Sequence, residues 1–224
     1  FVEYGGSKHG FLPFKEISNF YLNKVSNEPV NIFDYLKKGT ELIVQINKEE
    51  RGNKWASLTT YISIAGCYLV LMPYNYKIIG ISKKINNEDK IKLKNKLFNL
   101  NIPNNMGIIV RTAGAMKNLE EFQWDLNILL NHWNEIKNSC FIKKAPYLIY
   151  QESNIIMRVI RDYLRSDIEE IIVDNPKIYK IICSYIKVMK SDFLNIIKLY
   201  NENIILFNKY KIEKQIISAF KHTI

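Results

Sequence analysis

Residues 45–73 read QINKEERGNKWASLTTYISIAGCYLVLMP, and the rest of the chain is organised around them. The stretch opens as a strand of alternating character and passes through a charged, hairpin-like loop. It closes in a β-branched and aromatic run that holds one glycine, Gly66. The loop carries Lys48, Arg51, Gly52, Asn53 and Lys54 between two strands. Loop tips project beyond a sheet, so these cations and backbone N–H groups are placed to meet a polyanion. A simple solvated hairpin has the same composition, and the stretch alone leaves both readings open.

Outward from there, 224 residues with 47% hydrophobic content suit a folded protein with one large core or two to three small ones. A net charge of +10 favours a polyanionic partner, nucleic acid or an anionic membrane face. Heavy use of Ile, Asn and Lys also fits A/T-rich coding, which weakens that inference. Cys67, Cys140 and Cys183 form an odd, scattered set without a C-x-x-C pair, which argues against a disulfide framework and a zinc site. A reducing cytoplasm is the expected compartment. No apolar run approaches the ~20 residues of a membrane span, and Phe1 opens no recognisable signal peptide. The start FVEYG reads as mid-strand, so the expectation is an internal piece of a longer protein.

Before the central stretch, Phe1–Tyr4 and His9–Pro13 flank a Gly5-Gly6-Ser7 turn and predict a hairpin. Phe14–Val25 and Ile32–Lys37 read as short connections broken at Pro29, and Leu42, Val44 and Ile46 share one strand face. Short strands and many turns up to about Tyr61 fit an open β-barrel of the OB type. From Tyr61 to about Tyr150 the pattern is mixed, with strands at Tyr68–Met72, Ile78–Ile85 and Gly107–Thr112. One helix is expected to start at Asn87 as cap. A longer one follows an Asn118 cap, with Leu119, Phe122, Leu126, Leu129, Leu130, Trp133, Ile136 and Cys140 forming a core stripe. After Pro146 come a helix at Ile155–Leu164, a strand at Ile168–Val173, a helix opened by Asn175-Pro176 and a last helix at about Lys209–His222. The fold class is therefore α+β in several subdomains.

Three constellations bear on chemistry. Phe1 and Phe11 lie on neighbouring strands with Lys54 on the loop beyond. Turned outward, the rings would stack bases; turned inward, they are core, and the pattern alone favours the core reading. Residues 107–114, GIIVRTAG, deliver Arg111 and Thr112 at a strand end among small residues. A guanidinium fork beside a hydroxyl suits a phosphate monoester, and it is also an ordinary exposed strand end. The acidic residues Asp162, Asp167, Glu169, Glu170 and Asp174 and the histidines His9, His132 and His222 show no metal-ligand spacing.

The segments FVEYGGSKHGFLPFKEIS, INKEERGNK, LTTYISIAGCYLVLMP, GISKKI, GIIVRTAG, QWDLN, LIYQESN, RDYLRSDIEEIIVDNP, IKLY and QIISAF occur in this order over nearly the whole chain. Together they closely resemble the catalytic half of the ribonuclease E/G family, in forms nearer its E-type than its G-type members. The resemblance implies a partial S1-type OB-fold domain at 1–60, a sensor for the 5′ end of RNA at 61–156, and part of an RNase H-like subdomain at 157–220. Residues 221–224 would open the DNase I-like nuclease domain. By the same resemblance Phe1, Phe11 and Lys54 match the RNA-binding surface. Gly66, Val70, Arg111 and Thr112 match the 5′-monophosphate pocket, which a further arginine from the nuclease domain completes. The two catalytic aspartates, the Mg²⁺ they bind and the Zn²⁺ linking protomers would fall outside this stretch, so no catalytic residue is assigned here. Two departures stand out: Trp55 occupies a position where the family usually has a small residue, and Lys83-Lys84 replace a pair of arginines.

The implied function is endonucleolytic cleavage of single-stranded RNA in mRNA decay and in rRNA and tRNA processing. Monophosphorylated 5′ ends would be favoured. The intact protein would be a homotetramer, with possible association with the inner membrane and a degradosome. For these residues the expectation is narrower: RNA binding and 5′-end recognition without cleavage. The alternative is a non-catalytic RNA-binding module or a decayed remnant of the enzyme gene.

Overall fold

The computed structural model describes residues 1–22, 36–75, 78–140, 142–151, 155–164, 168–189 and 191–221. They fall into two units, Phe1–Glu152 and Ser153–Ile224. In the first, strands β1 (Gln45–Lys48), β2 (Ser57–Thr59), β3 (Ile64–Ala65), β4 (Leu69–Met72) and β5 (Ile79–Ile81) precede helix α1 (Asn87–Leu97), strand β6 (Gly107–Val110) and helix α2 (Leu119–Ser139). The second holds α3 (Ile155–Tyr163), β7 (Ile171–Val173), α4 (Pro176–Met189), β8 (Ile197–Leu199), α5 (Leu206–Lys209) and α6 (Ile212–Phe220). The architecture is mixed α+β. No helix among the described residues is long and apolar enough to cross a membrane.

The centre of the first unit is a four-stranded sheet in the order β3-β4-β6-β5, antiparallel except for the β5–β6 pair. Alternation decides its faces. Leu69, Leu71, Ile108 and Val110 are fully buried, while Val70, Met72 and Ile109 are half-buried. Against β3 and β4 lies α2, burying Phe122, Asp125, Leu126, Leu129, Trp133 and Ile136. Those positions recur at three and four, and each fully buried leucine or phenylalanine contributes about 1.5 to 3 kcal/mol. The helix begins with a capping box: Asn118 accepts from the Glu121 N–H, and Glu121 reaches back to the Asn118 N–H.

The first sixty residues are more loosely paired than the hairpin pattern suggests. Val2 and Gly10 form a single antiparallel bridge, and Phe11 bridges Ser57 in parallel. β1 and β2 pair antiparallel, with an irregularity between Ile46 and Lys48. The expected strand through Leu42 and Val44 begins only at Gln45, and Ile46 is exposed rather than core. Thr60 ties this region together. Its hydroxyl accepts from the Ser18 N–H and donates to the Glu16 carbonyl. Phe20 stacks on Tyr74 at 4.4 Å, and Tyr74 meets Trp133 edge-on at 5.4 Å, so the N-terminal segment is packed onto α2 through aromatic rings.

Several boundaries differ from expectation. The cap of α1 is Asn86, whose side chain accepts from the Asp89 N–H, one residue before the expected Asn87. The strand expected over Ile78–Ile85 shortens to Ile79–Ile81, because Ser82 already turns to bond the Ile85 N–H through its carbonyl. Parts of the connections Phe14–Val25 and Ile32–Lys37, Pro29, Asp167 and His222 lie outside the described residues.

In the second unit β7 and β8 run parallel, joined through α4, and form a βαβ unit around Ile160, Val173, Ile182, Ile186 and Ile197. Pro176 opens α4 as expected, with Asn175 Oδ1 accepting from the N–H groups of Lys177 and Ile178. On α6, Ile216, Ile217 and Phe220 remain exposed.

Candidate nucleic-acid interface

The charged loop of the central stretch is a tight turn. Arg51 and Lys54 exchange backbone hydrogen bonds at 3.1 Å in each direction, leaving Gly52 and Asn53 at the tip. Gly52 has φ +57°, the left-handed value that a glycine-first hairpin turn requires. The tip is fastened to the Gly5–Lys8 turn, because Lys8 Nζ donates to the Gly52 carbonyl at 3.0 Å and Ser7 donates to Glu50 at 2.6 Å.

Beside this turn three aromatic rings gather. Phe1 and Phe11 are 5.6 Å apart between ring centres, and Trp55 meets Phe1 edge-on at 4.8 Å. They are 70%, 45% and 53% exposed, respectively, so both phenylalanines are on the surface and not in the core. Phe11 is held there by its backbone: its N–H donates to Ala56 and its carbonyl accepts from Leu58. Lys54, adjacent to Trp55 in the chain, is exposed. Exposed rings beside a turn that carries Arg51 and Lys54 offer surfaces on which bases can stack, with cations nearby for a phosphate backbone.

A second group forms where the turn between β3 and β4 meets the end of β6. Fifteen residues before Asp125, β6 stops at Val110 and the chain passes through Arg111 into a 3-10 turn, Thr112–Gly114. The Arg111 N–H donates to the Tyr68 carbonyl at 2.8 Å, and its guanidinium donates to the Gly66 carbonyl at 2.5 Å. Arg111 is half-buried and Thr112 exposed. Val70 is half-buried on β4, opposite Ala65 and Ile109. Gly66 and Arg111 are thus in direct contact, with Thr112 next in the chain.

Asp125 completes this group, and the sequence reading passed over it. From α2 its carboxylate accepts the N–H groups of Cys67 at 3.0 Å, Tyr68 at 2.8 Å and Leu69 at 2.9 Å. Burial holds this carboxyl above the ordinary carboxylate range, opposed by the three amides and by the charge of Arg111. The same carboxylate explains Gly66: a Cβ there would sit 2.6 Å and 2.7 Å from its two oxygens. The available signal was positional. Asp125 stands three after Phe122 and four before Leu129, on the helix face where a charge needs partners. Nearby, Lys117 Nζ lies 4.9 Å over the Tyr68 ring and bonds Glu121 at 2.8 Å, and that hydrogen bond raises its affinity for its proton.

Among the described residues, no three His, Cys, Asp or Glu side chains converge to hold a metal.

Comparison with known proteins gives the family. The ribonuclease E/G family model matches residues 63–224, and the chain belongs to that family. It is 55% identical over 227 residues to ribonuclease E of Buchnera aphidicola subsp. Schizaphis graminum, a match that covers 100% of this chain and 24% of the relative. Ribonuclease E of Haemophilus influenzae is 51% identical, and that of Escherichia coli also 51%, covering all of this chain and 24% and 21% of those proteins. The chain therefore spans about a quarter of the length of these relatives.

Proposed function

We propose that the chain is the RNA-recognising part of an endoribonuclease that cuts single-stranded RNA in the bacterial cytoplasm, acting in mRNA decay and rRNA and tRNA processing. Within it, β1, β2 and the bridged segments before them serve as part of an S1-type OB-fold domain. The sheet with α1 and α2 serves as the 5′ sensor, and the second unit as part of an RNase H-like subdomain. The observation that carries the sensor reading is the Arg111 guanidinium fixed on the Gly66 carbonyl, with exposed Thr112 next in the chain. A planar fork held at a fixed angle presents its donors to one phosphate group, and a neighbouring hydroxyl adds another. A triphosphate would bring more charge and bulk to a place shaped for a single group. Val70 and Gly66 are assigned to the terminal nucleotide, and Phe1, Phe11 and Lys54 to the strand further along.

Hydrolysis, the Mg²⁺ that supports it, the Zn²⁺ link and the homotetramer are proposed for the intact protein. Association with the inner membrane or a degradosome belongs to the same proposal. The test is binding of single-stranded RNA with a 5′-monophosphate against the same RNA with a 5′-hydroxyl. The parent chain should prefer the monophosphate, and Arg111→Gln should abolish the preference while leaving hydroxyl-ended RNA bound. Equal preference in parent and variant would refute the assignment. With Mg²⁺ added, the chain alone should bind without cutting, and specific cleavage would overturn that part.

A further inference from the structure

We infer that Trp55 is a third stacking side chain on the Phe1–Phe11 face and takes one additional unpaired base of single-stranded RNA. The inference rests on the proposed reading of that face and extends it to a residue to which the family resemblance assigns no role. Trp55 leaves 53% of its surface in water, although it lies only three residues from Leu58, which is completely buried. Its indole is instead set perpendicular to Phe1 at 4.8 Å, and Phe1 in turn lies 5.6 Å from Phe11. The three rings therefore form one continuous apolar patch.

Contacts of the rings with one another, one edge-on and one tilted, also order them before any ligand arrives, so less side-chain freedom remains to be lost when a base settles on them. The occupant follows from the rim. Lys54 precedes Trp55 directly, Arg51 faces Lys54 across the turn, and Lys8 bonds the Gly52 carbonyl at the tip. An apolar protein surface would gain nothing from a neighbouring turn that carries Arg51 and Lys54, with Lys8 bonded to its tip. A single strand of nucleic acid, with a flat base and a phosphate at each step, meets both the rings and the charges.

The test uses the whole chain and a short single-stranded oligoadenylate with a 5′-hydroxyl, which leaves the Arg111 pocket without its phosphate. Trp55→Ala should weaken binding about tenfold, within the range for loss of one stacked base, while Trp55→Phe should retain most of the affinity. Oligoadenylate should also quench tryptophan fluorescence more in the parent than in Trp55→Phe, whose remaining tryptophans, Trp124 and Trp133, are half-buried and buried. A ribose-phosphate oligomer without bases should bind parent and Trp55→Ala alike. Parent-like affinity in Trp55→Ala, with Phe11→Ala impaired, would overturn the role of Trp55 and leave the face standing. Unchanged binding in both variants would remove the face itself, as would an absence of binding by the parent.

Discussion

Replacing Asp125 tests the construction of the Arg111 group most directly. In Asp125→Ala the N–H groups of Cys67, Tyr68 and Leu69 lose their shared acceptor in a place where all three residues are buried. A buried donor left unsatisfied costs about 1 to 3 kcal/mol, so three would cost up to about 9 kcal/mol if nothing else moved. Water entering the vacated space and relief from burying a charge both reduce this figure. The expected net loss is about 3 kcal/mol, towards the upper end for a single substitution. Asp125→Asn should lose somewhat less, since one acceptor oxygen remains while the amide nitrogen faces another donor. Urea unfolding followed by the fluorescence of Trp55, Trp124 and Trp133, all in the first unit, reports on that unit, and hydrogen exchange at residues 67–69 reports on the turn itself. A loss below about 0.5 kcal/mol with unchanged protection at those amides would refute the account. The pH dependence carries its own sign. Because the folded pKa is raised from 3.8, the group's contribution is fully present below 3.8 and declines as pH rises through the folded value. The stability difference between parent and Asp125→Asn should therefore shrink as pH increases over that window.

Other substitutions address separate parts of the design. Gly66→Ala should displace the β3–β4 turn, because its Cβ would meet the Asp125 carboxylate. The expected outcome is weaker protection of the Cys67–Leu69 amides and a reduced monophosphate preference. Asn118→Ala removes one half of the α2 capping box and should cost about 1 kcal/mol in urea unfolding of the first unit. In the second unit, Ile186→Ala empties a fully buried position between α4 and the β7–β8 pair and should cost about 2 to 5 kcal/mol, measured by hydrogen exchange within α4.

How much of this was legible in the sequence varied with the kind of physics involved. The α2 stripe and its Asn118 cap could be read directly, since 3.6-residue periodicity and capping chemistry are local. The exposure of Phe1 and Phe11 could not, because alternation gives two faces without saying which one is covered. Arg111 and Thr112 were visible as a strand end, but the carbonyl that Arg111 holds lies 45 residues earlier in the chain. Asp125 shows the limit most clearly. Its place on the core face was readable, while its partners, 56 to 58 residues away, exist only once the sheet has formed. The boundaries of β1, β5 and α1 shifted because irregular pairing and a neighbouring Asn, Asn86, compete with the simple pattern.

The carboxylate of Asp125 also constrains how the chain can be lengthened or shortened. Each residue advances a helix by about 100°, so one insertion between Asn118 and Asp125 would swing the acid away from the turn while keeping the cap in place. The first two turns of α2 therefore act as a spacer of fixed length between a helix start and the turn that Arg111 grips. Substitution on the exposed side of that spacer should be tolerated far better than any change in its residue count.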